Sequence, residues 1–263
     1  MNIATWNVNS LKVRLEQVLN FLVQNDIDVL CLQETKITDD KFPYESFKSL
    51  GYKSYWLGQK TFNGVAIVSR YQSTKTSYNL YGNIEEQKRL ISVTISSEIG
   101  KICVVCVYCP NGQMIDSEKY EYKIKWFDKL ADLVKNELLK NDHLIVLGDY
   151  NVAPKDDDVY NSEICKDQIL TSSTERKSFN KLIQLGLVDA FRLFKQPEKS
   201  YSWWDYRRLS FKRNMGFRID HILLSYSLKE FCKTCKIDKS LRGFEKPSDH
   251  APVIAVISNN LYE

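Results

Sequence analysis

Short runs of β-branched and aliphatic residues follow one another along this chain, with too little helical sequence between them for an alternating βα fold. IDVLCLQE (27–34), GVAIVSR (64–70), KRLISVTIS (88–96), KICVVCVYC (101–109) and HLIVLGD (143–149) each read as a strand. IATWNV (3–8), YKSYWLG (52–58), FRIDHILLS (217–225) and PVIAVIS (252–258) complete the set. Runs this short and this rich in Val and Ile are strands buried on both faces. Three stretches carry helical spacing instead: Leu11, Leu15, Val18, Leu19 and Leu22; the stripe Tyr120, Ile124, Phe127, Ala131, Val134 and Leu138 within 117–140; and 175–185. A doubly wound parallel sheet requires strict alternation. Consecutive strands with helices spaced between them predict an α/β sandwich of two mixed sheets with helices outside.

No stretch rich in Gly, Pro or Ser divides the 263 residues, so 1–263 is expected to form a single domain. A chain this long buries about three-quarters of its unfolded surface and needs no disulfide or metal staple. With 43% hydrophobic and 27% charged residues it is neither disordered nor a coiled coil. No window approaches about 18 consecutive apolar residues, and MNIATWNVNSLKVR lacks the apolar core of a signal peptide. The expected compartment is the cytoplasm, without a membrane partner. Seven cysteines, an odd number, read as reduced thiols. Cys103, Cys106 and Cys109, and the pair Cys232 and Cys235, have spacing that suggests zinc, but Cys103 and Cys106 on one strand face opposite ways. Buried small hydrophobes are expected instead. Asp156, Asp157 and Asp158, within the long polar stretch 154–174, are expected to be a solvated turn.

Charge is concentrated. The chain nets only +4, but 199–218 alone carries Lys199, Arg207, Arg208, Lys212, Arg213 and Arg218 against one acid, Asp205. Tyr201, Trp203, Trp204, Tyr206, Phe211 and Phe217 are interleaved with them. Cations for phosphates among flat rings for bases or sugars are what a nucleic-acid surface requires.

Polar residues recur just where apolar runs stop. Asn7 and Asn9 follow IATW, Gln33 and Glu34 follow VLCL, and Tyr108 and Asn111 close VVCV. Asp149 and Asn151 follow LIVLG, Asp220 lies in FRIDHILL, and Asp249 with His250 precedes APVIAV. Six such strand ends predict one shared rim. A nucleophilic triad is poorly supported, since no GxSxG elbow occurs and the chain has only three histidines. His143 is expected at the surface, and His221 points away from its neighbour Asp220. What remains is carboxylates, amides, one Tyr and His250, an oxygen-rich set that suits Mg²⁺ or Mn²⁺. Metal-assisted phosphodiester hydrolysis is the reaction these parts serve. A general base alone supplies about 3–5 kcal/mol of the roughly 8–23 kcal/mol that enzymes need.

WNVNSL (6–11), LQETK (32–36), GDYNVAP (148–154), RID (218–220) and SDHAP (248–252) resemble, in order, the motifs of the exonuclease III-type AP endonucleases. That group lies within the endonuclease/exonuclease/phosphatase superfamily. SWWDYR (202–207) and EKPSDHAPV (245–253) are similar to the bacterial exodeoxyribonuclease III branch in particular. The resemblance implies a four-layered α/β sandwich of two mixed, mainly antiparallel sheets, acting on double-stranded DNA with Mg²⁺, in the cytoplasm and on the nucleoid. It assigns Glu34, Asn7 and Asp249 to the metal. Asp149 orients or deprotonates the attacking water, with Asn151 beside it. Tyr108 contacts the phosphate and helps the leaving oxygen, while His250 bonds the scissile phosphate and is oriented by Asp220. Asn111 contacts phosphate, Arg207 belongs to the DNA-binding segment, and Trp203, Phe217 and Ile219 line a pocket for a flipped-out abasic sugar.

Two departures stand out. Position 9 is Asn where many members of this group have Asp, removing a carboxylate near the metal. The segment 169–173 lacks an expected glycine, and Leu170 is expected to obstruct an internal abasic site while admitting a strand end. The resulting expectation is a monomeric DNA repair nuclease that cuts 5′ to abasic sites and processes blocked 3′ ends. The alternative is an enzyme mainly of 3′ ends, with phosphatase and exonuclease activity.

Overall fold

Strands that are apolar on both faces need cover on each side, and the chain supplies it in four layers. The computed structural model describes residues 1–78 and 87–259. In it, β1 (Asn2–Asn7) leads through α1 (Leu11–Gln24) to β2 (Val29–Gln33), which lies parallel to β1. The short α2 (Tyr44–Lys48) precedes β3 (Lys53–Leu57) and β4 (Val65–Ser69). The second sheet opens with β5 (Ser73–Tyr78), β6 (Leu90–Ser97) and β7 (Gly100–Tyr108). Next, α3 (Glu118–Leu138) returns the chain to β8 (His143–Asp149), parallel to β7. Then α4 (Ser162–Cys165) and α5 (Ser173–Gln184) lead to β9 (Leu187–Asp189) and β10 (Asp220–Ser225). Finally β11 (Cys232–Ile237) and β12 (Val253–Ile257) rejoin the first sheet. The orders are β11-β12-β1-β2-β4-β3 and β5-β6-β7-β8-β10-β9.

The sheets meet face to face through Ile3, Cys31 and Ile67 on one side and Val104, Ile145 and Ile222 on the other. Outside the second sheet, Trp126, Phe127 and Leu130 of α3 and Phe179 of α5 cover Val105 and Val146. Outside the first, Val18, Phe21 and Leu22 of α1 cover Ala4 and Leu30. Each such side chain contributes about 1.5–3 kcal/mol by leaving water. All seven cysteines are free and buried. As strand alternation requires, Cys106 faces the space between the sheets and Cys103 faces α3.

Three strands carry no apolar run: β5 is a polar edge strand, STKTSY, β9 has three residues, and β11 alternates as CKTCKI. The acidic triplet also differs from a solvated turn. Asp156 and Asp157 are exposed, but Asp158 is fully buried, where it pairs with Arg218 at 2.6 Å and with Arg192. The burial of Arg218 dictates this, because a guanidinium out of water needs a carboxylate partner.

The topology gathers one rim. The parallel pairs β1–β2 and β7–β8 end at Asn7, Gln33, Tyr108 and Asp149. Their antiparallel neighbours begin there: Asp220 opens β10 in register with Asp149, and His250 lies just before β12. Carboxyl ends of parallel strands are where such sheets form sites. Gly148 makes the approach at this rim, since a Cβ there would lie 1.8 Å from the Val107 carbonyl oxygen on the adjacent strand.

Candidate active site

At the centre of the rim, the Asn7 side chain bridges two acids. Its Nδ2 donates to Glu34 Oε1 at 2.8 Å and to Asp149 Oδ2 at 2.9 Å, while its Oδ1 accepts the Asn9 backbone N–H at 3.0 Å. Thus Asn7 presents its donor end, not its oxygen, to the carboxylates. Lys36 ion-pairs with Glu34 Oε2 at 2.8 Å. Burial works against ionisation of Glu34, but Lys36 and Asn7 outweigh it and hold its carboxyl below the usual range. Glu34 sits at φ 51° and Asn151 at φ 51°, left-handed conformations that cost a non-glycine residue about 1–3 kcal/mol. The strain falls on two residues at the heart of the site.

On the opposite side stands His250. Its Nδ1 is 2.8 Å from Asp220 Oδ2, and Ser202 Oγ donates to the same carboxylate oxygen at 2.7 Å. The other ring nitrogen, Nε2, is 3.8 Å from Asp149 Oδ2, too far for a direct hydrogen bond. Burial disfavours the imidazolium, yet Asp220 and Asp149 raise its pKa to about 10. Burial raises the Asp149 carboxyl, and the charge on His250 pulls it back. The Tyr108 phenol is pushed well up by burial and then by Glu34, so it stays an O–H donor. Arg89 packs over its ring, 4.6 Å from the centroid.

The amides are interlocked. The Asn151 N–H donates to Asp149 Oδ1 at 2.9 Å, and its Nδ2 donates to the Cys109 carbonyl at 2.9 Å. Asn111 Nδ2 donates to Asn151 Oδ1 at 3.0 Å. Asp249 lies one step outside: its oxygens accept from Asn9 Nδ2 and from Trp203 Nε1, each at 3.0 Å. Trp203 and Phe217 meet edge to face at 5.7 Å, and both pack on the cluster of Ala153, Val159, Cys165, Leu170 and Ile219. Leu170 therefore lies against the expected sugar pocket, buried and at φ 75°. The structure does not bring Arg207 to this centre. Its side chain is exposed and pairs with Asp205 at 2.7 Å.

Glu34, Asp149 and His250 offer ligand atoms within 4.8 Å of one another. With burial outweighed by Asp220 and Asp149 and the His250 ring kept protonated, the carboxylates of this group are the members that could hold a hard divalent ion retaining several waters. The sequence assigns no role to Lys36 or Ser202, although each touches a residue that has one, while Asn9, expected near the metal as an amide in place of a carboxylate, holds Asp249. The signal for Lys36 is its place in LQETK, two residues after the acid it neutralises.

The description Endonuclease/Exonuclease/phosphatase family matches residues 4–250. Exodeoxyribonuclease III of Haemophilus influenzae is 35% identical over 265 residues, covering 97% of this chain and 99% of that one. A 3′ phosphatase from Neisseria, NExo, solved with a product DNA hairpin, superposes with a TM-score of 0.95 at 43% identity, over 98% of this chain and 99% of that one. An AP endonuclease from Archaeoglobus fulgidus gives a TM-score of 0.92 at 36% identity, over 98% and 99% of the two chains. The chain belongs to the endonuclease/exonuclease/phosphatase family, in its exonuclease III-type branch.

Proposed function

We propose that the chain is a DNA repair nuclease that hydrolyses the phosphodiester 5′ to abasic sites and removes blocking groups or nucleotides from 3′ ends of duplex DNA. The observation that carries this reading is the pairing across one cleft of a buried imidazolium, His250, with two carboxylates, Asp149 and Glu34. The family is metal-dependent. Glu34 would hold the ion, for which Mg²⁺ is proposed with Mn²⁺ as a substitute. Asn7, whose amide nitrogen and not its oxygen faces the acids, would fix the Glu34 carboxylate, and Asp249 would act through the waters around the ion. Bound there, the cation withdraws charge from the phosphate oxygens.

The chain's own residues supply the rest. Asp149 takes the proton of the attacking water, a task suited to a carboxylate whose basicity is raised by burial. His250 donates from Nε2 to a non-bridging phosphate oxygen and keeps its proton because Asp220 holds Nδ1. Tyr108 and Asn111 give further donors, Tyr108 toward the leaving oxygen. Trp203, Phe217 and Ile219 enclose the sugar, and the basic aromatic segment with Arg207 follows the DNA backbone. Because the site draws on both sheets, residues 1–263 are proposed to act as one catalytic unit, monomeric and working in the cytoplasm on the nucleoid.

One observation favours the narrower reading, an enzyme mainly of 3′ ends: Leu170 packs in the same cluster as Phe217, Ile219 and Trp203. A pocket narrowed by Leu170 obstructs an internal flipped sugar more than a free terminus. The deciding experiment is a gel assay on an end-labelled duplex with one internal abasic-site analogue, with Mg²⁺ and with chelator. Metal-dependent incision at the lesion establishes the broader reading. An intact lesion with a shortened or dephosphorylated 3′ end establishes the narrower one.

A further inference from the structure

Beneath the floor of the cleft lies an ion pair that no step above uses. Lys123 of α3 and Glu175 of α5 are both fully buried and bonded through Nζ and Oε1. The ammonium has two further bonds, both to backbone carbonyls of the site: Asn151 O at 2.7 Å and Asn111 O at 3.1 Å. Glu175 is equally committed. Its Oε1 accepts the Leu170 N–H at 3.1 Å, and its Oε2 accepts the Ser172 N–H at 3.0 Å and Ser172 Oγ at 2.7 Å. Leu170 in turn accepts the Ala153 N–H through its carbonyl, at 2.7 Å.

One buried pair thus ties together three segments that have no regular structure of their own: the turn after β7 bearing Asn111, the turn after β8 bearing Asn151, and the pocket wall bearing Leu170. The first two are held at their carbonyls, directly behind the side chains that interlock through the Asn111–Asn151 amide bond. An apolar pair of similar volume would fill this space at little or no cost in stability, so packing does not by itself account for charges here. Ammonium donors can draw two carbonyls together, and apolar groups cannot.

We propose that Lys123, oriented by Glu175, is a positioning residue that sets the separation of Asn111 and Asn151 and locks it to the Leu170 pocket wall. It touches neither substrate nor metal. Its effect therefore falls on turnover, through the alignment of the phosphate-gripping amides, and not on DNA affinity, which is proposed for the exposed Lys199, Arg207, Arg208, Lys212 and Arg213, Arg218 being buried. The inference rests on the nuclease reading but not on the choice between internal and 3′-end cleavage, since whichever substrate the wild type turns over reads it.

The test compares wild type with Lys123→Met and with Lys123→Met/Glu175→Gln. The single variant leaves a buried carboxylate unpaired, and loses stability for that reason alone. The double variant removes both charges while Gln retains the capping-box geometry at Ser172. Melting temperature, kcat and KM are measured for each. The double variant is expected to melt above the single variant, since no charge is left unpaired, while kcat stays down by about 10²-fold, the loss that a displacement of about 1 Å produces, with KM unmoved. Recovery of kcat together with the melting temperature would overturn the proposal, leaving a purely structural pair. So would a raised KM at normal kcat, or a double variant that fails to fold.

Discussion

Asp220 and His250 are joined at 2.8 Å on the side of the imidazole turned away from Asp149. The acid therefore fixes which nitrogen faces the cleft and keeps that nitrogen protonated. Asp220→Asn preserves the shape but removes the charge that holds the proton, so kcat should fall by about 10²-fold or more. Rate should also decline at lower pH than in wild type, as the pKa of His250 drops. Pre-steady-state turnover across pH checks this, and an unshifted alkaline limb would refute it.

Asp149 and His250 act on the reacting atoms, whereas affinity for DNA comes from many phosphate contacts. Asp149→Asn and His250→Ala should each abolish turnover while DNA binding, measured by fluorescence anisotropy, changes little. Normal turnover in both variants would show that the reaction occurs elsewhere.

Glu34 is the acid best placed to anchor a cation, with Asn7 fixing one oxygen and Lys36 the other. Glu34→Gln should raise the metal concentration needed for half-maximal activity at least about tenfold. Mn²⁺ binding followed by electron paramagnetic resonance reads the same change without turnover. A chelator should silence the wild type and leave its fold intact, because the four layers close without the ion.

The strands and the acids at their ends were readable because burial on both faces leaves an unbroken apolar run, as in β8, and a polar residue closing such a run is conspicuous. Glu34, Asp149 and His250 stood out in this way, and the structure brings all three together. Strand β5 could not be read, since an exposed edge needs no apolar residue. Asp158 looked solvated because its partner, Arg218, is 60 residues away. Lys123 had a signal that was passed over: it lies three residues after Tyr120 and four before Phe127, on the apolar face of α3, where a cation is either buried and paired or misplaced.

Leu170 is a leucine held at φ 75° with its side chain buried. Leu170→Gly removes the obstruction and the backbone strain together, so abasic-site incision should rise more than 3′-end processing. Stability should nevertheless fall by about 1–2 kcal/mol, the difference between the middle of the range for lost packing, about 2–5 kcal/mol, and that for relieved strain, about 1–3 kcal/mol. Parallel assays on an internal lesion and a 3′-phosphate check the ratio, and an unchanged ratio would remove Leu170 as a specificity determinant.

His221 is fully buried, accepting from Arg218 through Nδ1 at 3.0 Å and donating from Nε2 to the Val152 carbonyl at 2.9 Å. Burial first, and the Arg218 charge second, push its pKa down to about 4, against about 6.5 in the unfolded chain. Above about pH 6.5 neither state binds the proton, and His221 imposes no penalty. As pH falls from about 6.5 to about 4 the unfolded chain takes a proton that the folded one refuses, so stability declines, by about 3 kcal/mol in full. Below about pH 4 the penalty is constant. His221→Gln retains an acceptor for Arg218 and a donor for Val152 but does not titrate. Urea midpoints for both proteins between about pH 7 and pH 4.5 should converge at the upper end and separate toward the lower, with wild type falling faster. Parallel profiles would mean that the wild-type acid sensitivity does not come from this histidine.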